Sequence, residues 1–212
     1  MEQKPEAAPK FTRAEEVDPL YWDRLDGLDL EKAALRSGAV LAGGILSLEM
    51  LGQEFRVDPG SRMIEGPGGR EADFQEALVL LAYLSGEGSP GISGQRVPLR
   101  SLPGGELFFA KTHTPATDDL PDHVDLEAET FLRTGEEMGG RATGQGEASW
   151  LLMALPQVPL EVFFFSGDEE FSYRVTVLID KAAADYFSLD VAWALVNLLS
   201  RRIRRLVRTM DG

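Results

Sequence analysis

Both histidines of the chain lie in one short polar segment, residues 112–125, which we call the histidine loop. Imidazole and carboxylate side chains together suit a transition metal, and they also suit proton transfer near neutral pH. The candidate ligands in this loop are His113, His123, Asp118, Asp119 and Asp122. The histidines are ten residues apart, which is no known ligand spacing. Because acidic loops are common in a strongly anionic chain, a solvated loop leading into the next helix is the favoured interpretation.

A second group of carboxylates lies in the acidic turn, residues 167–170, where Asp168, Glu169 and Glu170 follow a glycine. Three adjacent carboxylates can bind Ca²⁺ or Mg²⁺ through oxygen, although the alternating acidic positions of an EF-hand loop are missing. A hairpin turn with glycine and aspartate at its turn positions explains the same residues and is favoured. If the acidic turn and the histidine loop converge, they form the site of a metal-assisted or acid/base enzyme.

Arginines crowd the end of the chain, which is a local exception to its acidity. The five are Arg201, Arg202, Arg204, Arg205 and Arg208. They share a predicted helix with an apolar stripe that begins at Trp193, and a basic amphipathic helix can bind a membrane surface or an acidic partner. Because the whole chain carries a net charge of −14, a packed helix whose arginines neutralise the protein's own acidic body is the favoured alternative.

Several classes of chemistry are excluded by composition. The chain has no cysteine, so it can hold neither a cysteine-ligated iron–sulfur cluster nor a cysteine zinc site. It contains no Gly-x-Ser-x-Gly and no His-Glu-x-x-His motif. These absences favour a protein that is not an enzyme, and they leave any cofactor unidentified.

The charge and hydropathy of the chain limit which partners and which cellular location we expect. A pI of about 4.6 disfavours nucleic acid, because an anionic surface repels the phosphate backbone. The first ten residues contain no apolar secretory segment. No apolar run approaches the roughly 20 residues that a membrane span requires. We therefore expect a cytoplasmic protein without a transmembrane segment.

The first half of the chain predicts short helices, then strands, then a longer helix. The predicted elements are two short helices capped by Asp18 and Asp29, strands at 45–51, 54–57 and 63–64, and a helix over 71–84. The caps are typical of helix starts, and apolar residues at three- and four-residue spacings indicate the longer helix. A turn at Gly52-Gln53 is predicted to join the first two strands.

The second half ends in successive strands and a long helix. The predicted elements are a brief strand at 97–99, a segment at 106–111 that is ambiguous between helix and strand, a helix at 126–138, strands at 148–155, 160–165 and 171–179, and a helix over 189–210. Strands in direct succession favour antiparallel pairing. We predict an α+β fold, a mostly antiparallel sheet with helices packed on it and a long C-terminal helix. A disordered tail, residues 1–12, would precede a single domain, residues 13–212.

A string of residues in the C-terminal part resembles a known family. Its pieces are Leu155-Pro156-Gln157-Val158-Pro159, Gly167-Asp168-Glu169-Glu170-Phe171, Val177-Leu178-Ile179-Asp180, Ala184-Asp185-Tyr186 and Asp190, with Leu80-Leu81-Ala82-Tyr83-Leu84, Gly94 and Leu102-Pro103-Gly104-Gly105 before them. Over residues 78–206 the chain resembles the uncharacterised family called domain of unknown function 3786. The resemblance implies a protein of anaerobic bacteria or methanogenic archaea. Some relatives carry iron–sulfur-type segments, which this cysteine-free chain cannot reproduce, and the resemblance implies no catalytic residues.

Two classes of function remain open, together with self-association. The leading hypothesis is a non-enzymatic binding or accessory protein, with a protein or cofactor partner, in anaerobic metabolism. The alternative is the metal-assisted or acid/base enzyme described above. A homo-oligomer is also open, and the helix that carries Trp193 would then be its interface.

Overall fold

The computed structural model describes residues 11–86, 91–110 and 113–210. The strands are β1 (Val40–Ala42), β2 (Ile45–Met50), β3 (Gln53–Asp58), β4 (Met63–Glu65), β5 (Arg96–Pro98), β6 (Arg141–Ala142), β7 (Ala148–Leu155), β8 (Val158–Phe165) and β9 (Arg174–Asp180). The helices of four or more residues are α1 (Pro19–Asp26), α2 (Leu30–Ser37), α3 (Phe74–Ser85), α4 (Gly105–Phe108), α5 (Ala128–Glu137) and α6 (Leu189–Met210). The predicted tail falls largely on residues 1–10, which lie outside the described residues.

Every strand pair in the two sheets is antiparallel, as predicted, and the described residues form an α+β fold with a long C-terminal helix. The first sheet has the order β1-β2-β3-β4, and the second has the order β5-β9-β8-β7-β6. In β8, the central strand of the second sheet, every residue from Val158 to Val162 is buried, so this part of the strand is covered on both faces. Two sheets therefore replace the one that was predicted.

The turn between β2 and β3 differs from the prediction. Met50 pairs with Gln53, so the turn residues are Leu51 and Gly52 rather than Gly52 and Gln53. Both have positive φ, 52° at Leu51 and 70° at Gly52. Two positive φ values are typical of the tight turns whose twist matches a β-hairpin, but leucine is a poor residue there. Leu51 is held because its side chain is buried and its N–H donates to the Ala154 carbonyl of β7 at 2.9 Å.

Side-chain caps explain where the helices begin. The Leu20 N–H donates to the Asp18 carboxylate, and the Glu31 N–H donates to that of Asp29, which confirms both predicted caps. The third helix begins at Phe74, three residues later than predicted, because Asp73 is its N-cap. Asp73 and Glu76 form a reciprocal capping box, in which each side chain accepts the other's backbone N–H.

The core lies between the second sheet and the helices α3, α5 and α6, and it continues under the first sheet. The last helix runs from Leu189 to Met210, as predicted, and buries its apolar stripe against α3 and α5. On the opposite side of α5, Gly135 lies directly on the ring of Trp150, whose indole N–H donates to the Phe131 carbonyl at 3.1 Å. These contacts fix α6 on α3 and α5, and α5 on β7 of the second sheet.

The remaining differences concern the last strand, which begins at Arg174 rather than at residue 171, and the shortest elements. The three-residue β1 and the two-residue β6 were not predicted, because so few residues carry no period. The ambiguous segment 106–111 begins inside the short helix α4, and its last residue lies outside the described part of the chain. Among the described residues, no helix combines the length and the apolar character needed to cross a membrane.

Candidate functional site

Four arginines meet at a cavity of about 250 Å³, which we call the arginine pocket. Its charged lining consists of Arg70, Asp73, Glu76, Arg201, Arg202 and Arg205. Its uncharged lining consists of Met50, Leu51, Gln53, Phe55 and Leu198. The lining therefore holds two more positive than negative charges, in a protein whose net charge is −14. A local reversal of charge against such a background indicates a site for an anion.

Three parts of the chain build the arginine pocket. The turn between β2 and β3 forms one wall, the start of α3 forms the second, and the C-terminal half of α6 forms the third. Arg201 and Arg202 come three and four residues after Leu198, and Arg205 comes four and three residues after them, so all four share one face of α6. Helical periodicity therefore places three arginines of α6 at a single cavity.

Two of the arginines are held by carboxylates at the start of α3. Arg70 donates to both oxygens of Glu76, at 2.7 and 2.6 Å, in the bidentate arrangement that suits a guanidinium. Arg201 donates to Asp73 at 2.5 Å. Glu76 is only 5% exposed, and it also accepts the Asp73 N–H at 2.9 Å. This network positions Arg70 and Arg201 as rigid walls.

The other two arginines, Arg202 and Arg205, form no ion pair with the described residues. The Nε of Arg202 is buried and has no hydrogen-bond partner in the described part of the chain. Burial and then the neighbouring Arg205 lower the pKa of Arg202, whereas Glu137 of α5 raises it. Because a guanidinium stays charged in proteins, the cavity has a buried donor and two arginines that form no ion pair with the described residues.

Backbone strain coincides with the same cavity. Leu51, which lines the arginine pocket, has the positive φ described above. A left-handed backbone at a non-glycine residue costs on the order of 1–3 kcal/mol, and such residues concentrate at functional sites. The strained turn is a second feature, independent of charge, that singles out this cavity.

The histidine loop packs against α6 through its first half. The ring of His113 stacks on Phe108 at 4.0 Å and meets Trp193 edge-on at 5.3 Å. Trp193 donates its indole N–H to the Thr114 carbonyl at 3.0 Å, and the Ala116 N–H donates to Asn197 at 3.0 Å. His113 therefore takes part in anchoring the loop, and the first predicted loop residue, at position 112, lies outside the described residues.

Removing the Trp193 hydrogen bond tests this anchoring. Trp193→Phe keeps an aromatic ring but loses the donor to Thr114, and we expect the free energy of unfolding to fall by about 1 kcal/mol. Urea unfolding followed by circular dichroism measures it. Leu35→Ala, at a side chain that is 85% exposed, is the control and should leave stability unchanged. A variant as stable as the wild type would show that the bond contributes nothing.

The remaining candidate carboxylates are exposed. Asp118, Asp119 and Asp122 lie at the surface around a short 3-10 helix, and the half-exposed His123 ends that helix. In the acidic turn, Asp168 accepts the N–H groups of Glu170 and Phe171 at 2.9 and 2.8 Å, and these bonds lower the pKa of Asp168. Glu169 and Glu170 are exposed. This is the hairpin geometry that the favoured interpretation expects.

The two acidic segments do approach each other. Asp125 of the histidine loop and Asp168 of the acidic turn line one open cavity of about 620 Å³. Across residues 11–86, 91–110 and 113–210, however, no three His, Asp or Glu side chains are grouped so that they could hold a metal ion. The predicted metal site stays a prediction.

Asp180, at the end of the family-like string, has a different role. It is 1% exposed, and it accepts N–H groups of Ser93, Gly94 and Ala182 together with the Ser93 hydroxyl. Burial alone would raise the pKa of Asp180, but these hydrogen bonds outweigh burial and hold it below its usual range. Asp180 thus ties the loop before β5 to the end of β9.

The structure separates the five predicted arginines into two groups. Arg201, Arg202 and Arg205 line the arginine pocket, whereas Arg204 and Arg208 are not part of its lining. Sequence reasoning missed Arg70, Asp73 and Glu76. The capping signal at Asp73 and Glu76 was visible in the sequence, but nothing local to it pointed to a helix 128 residues away.

Comparison with known proteins gives a family and no function. The family model described as domain of unknown function (DUF3786) matches residues 29–202. No curated protein and no solved structure is detectably similar to the chain. The matched range includes every element from α2 to the middle of α6 and all the residues of the arginine pocket except Arg205. The resemblance noted in the sequence is therefore confirmed, and the chain belongs to the DUF3786 family.

Proposed function

We propose that this protein is a non-enzymatic binding or accessory protein, and that its arginine pocket takes a small anionic ligand. The single observation that carries the proposal is that Arg202 and Arg205, in a cavity of an otherwise acidic protein, form no ion pair with the described residues. The cytoplasm of an anaerobe, which the family resemblance implies, is the proposed setting.

The arrangement of the walls supports binding rather than simple neutralisation. If the arginines only balanced the acidic body, each would be expected to face a carboxylate, as Arg70 and Arg201 do. Arg202 instead keeps a buried Nε donor without a partner. An unsatisfied buried donor costs about 1–3 kcal/mol, which a residue that served only to balance charge at the surface would not incur.

Low-millimolar anions are the direct test. We expect at least one of sulfate, phosphate and acetate, added to a chloride buffer at constant ionic strength, to raise the Tm of the wild type. A ligand at a hundred times its Kd stabilises by about 2.7 kcal/mol. Arg205→Gln should weaken the response strongly while changing stability in plain buffer by no more than about 0.5 kcal/mol, because the residue is exposed and forms no ion pair with the described residues.

Arg208→Gln is the matched control, since Arg208 is an exposed arginine of the same helix outside the cavity. It should respond to the anions as the wild type does. A wild type whose Tm none of the three anions changes would contradict the proposal. So would an Arg205→Gln protein that responds in full.

The alternative, a metal-assisted or acid/base enzyme, is favoured by one observation, the shared cavity of Asp125 and Asp168. Elemental analysis of protein purified without chelators tests it. Stoichiometric metal that is lost in Asp168→Asn but kept in the exposed Asp122→Asn would support the alternative. Metal-free protein that also binds no Mg²⁺, Ca²⁺ or Zn²⁺ on titration would remove its basis.

A further inference from the structure

The donors of the arginine pocket distinguish between kinds of anion. Arg70 donates hydrogen bonds to Glu76, and Arg201 donates one to Asp73. These two carboxylates balance the charges of Arg70 and Arg201, so the positive charge available to a ligand is that of Arg202 and Arg205. A carboxylate carries one negative charge and two acceptor oxygens. It would leave one positive charge unbalanced in the cavity.

A phosphoryl group matches this demand better. A phosphate monoester carries about −1.5 to −2 charges at neutral pH and offers three strong acceptor oxygens. Three oxygens allow it to accept from the guanidinium of Arg202 and still face Arg205 on the next turn of α6. Planar guanidinium groups are the side chains that most often recognise phosphate through paired hydrogen bonds.

The size of the cavity limits what is attached to that group. Its volume of about 250 Å³ lies below the range of about 300–1,000 Å³ in which drug-sized ligands are buried. Leu51, Phe55 and Leu198 supply an apolar portion of the lining. This combination fits a phosphoryl group that carries at most a small apolar substituent.

We infer that the arginine pocket selects a dianionic phosphoryl group over a carboxylate. The inference rests on the proposed function, because it presupposes that an anion binds there. Both free phosphate and a small phosphate monoester carry such a dianionic group, so either could be the ligand.

The experiment measures Kd by isothermal titration of the whole chain with sulfate, acetate, inorganic phosphate, methyl phosphate and phenyl phosphate. We expect sulfate to bind at least about tenfold more tightly than acetate. The second negative charge of sulfate is attracted to an arginine about as strongly as the partner in an ion pair that is partly exposed to water. Tighter binding of phenyl phosphate than of inorganic phosphate would identify a monoester as the source of the group. The reverse order would identify free phosphate.

The pH dependence of methyl phosphate affinity is a second measurement. It reports the charge of the ligand and not the charge of the protein. Methyl phosphate loses its second proton near pH 6, so its affinity should rise between pH 5 and pH 7.5. The titratable groups facing the cavity are Asp73 and Glu76 from α3, with Glu137 of α5 near Arg202, and no histidine lines it. Sulfate keeps its charge over this range, so its affinity should stay constant, and the ratio of the two affinities isolates the ligand's proton.

Two variants separate charge from donor geometry. Arg202→Lys keeps the charge but loses the Nε donor, and we expect it to weaken sulfate and methyl phosphate binding while acetate binding changes little. Arg205→Gln removes one charge and should bring sulfate and acetate to similar affinities. Acetate binding as tightly as sulfate to the wild type would overturn the inference but leave the proposed function standing. Failure of all five anions to bind would overturn both.

Discussion

Gly52→Ala is expected to lower the free energy of unfolding by about 3 kcal/mol. An alanine at its φ of 70° costs about 1–2 kcal/mol, because the left-handed backbone strains any side chain. The new Cβ would also lie 2.6 Å from the carbonyl oxygen of Met138, and overpacking of this kind costs about 1–3 kcal/mol more. The contact is with backbone at the end of α5, so it cannot be relieved by a change of rotamer. Urea unfolding measures the loss.

Gly43→Ala is the matched control for this substitution. Gly43 also has a positive φ, 59°, but nothing lies within 4 Å of the Cβ that alanine would add. We expect this variant to lose only the conformational part, about 1 kcal/mol. Equal losses in the two variants would mean that the contact between Gly52 and Met138 carries no energy.

Because Leu51 and Gln53 flank Gly52 and line the arginine pocket, the same substitution should also weaken anion binding. The Tm response to sulfate should be smaller in Gly52→Ala than in Gly43→Ala. A smaller response in Gly52→Ala would show that the strained turn contributes to anion binding as well as to the stability of the fold.

Asp180→Asn is expected to destabilise the protein by about 3 kcal/mol, because hydrogen bonds to a charged acceptor contribute about 1.5–3 kcal/mol each. The amide keeps one acceptor but presents an NH₂ group where the carboxylate accepts the Gly94 N–H at 2.8 Å. Asp185→Asn, at an exposed residue of the following 3-10 helix, is the control and should change stability little.

The pH dependence of the same variant has a definite sign. The folded-state pKa of Asp180 is below its usual value, so its stabilisation is complete above the unfolded pKa of about 3.9. It is lost as the pH falls through the folded pKa. The difference in stability between wild type and Asp180→Asn should thus be constant above about pH 5 and shrink below about pH 4. A difference that persists unchanged in acid would contradict this account.

Much of the fold could be predicted because its signals are local. The caps at Asp18 and Asp29, the long strands of the second sheet and the helix at Leu189–Met210 follow from residues that are neighbours in the chain. The turn at Leu51 could not be predicted in the same way. Its positive φ depends on burial of the leucine and on a hydrogen bond to Ala154, which are tertiary facts.

Only part of the arginine pocket could be predicted from the sequence. Helical spacing placed the arginines of α6 on a surface and suggested an acidic partner. It could not show that Arg201 would form an ion pair and that Arg202 would form none with the described residues. That distinction depends on Asp73 and Glu76, which lie more than a hundred residues earlier. The histidine loop attracted attention through residue type alone, and its first histidine proves to pack between aromatic rings.

The ion pair between Asp73 and Arg201 also bears on how the chain folds. It joins residues 128 positions apart, and contacts between such distant segments form only after the entropy of closing the intervening chain has been lost. We therefore expect the arginine pocket to be complete only late in folding. An anion bound there would act on the rate of unfolding and leave the rate of folding almost unchanged. Occupancy of the pocket would thereby lengthen the lifetime of the folded protein.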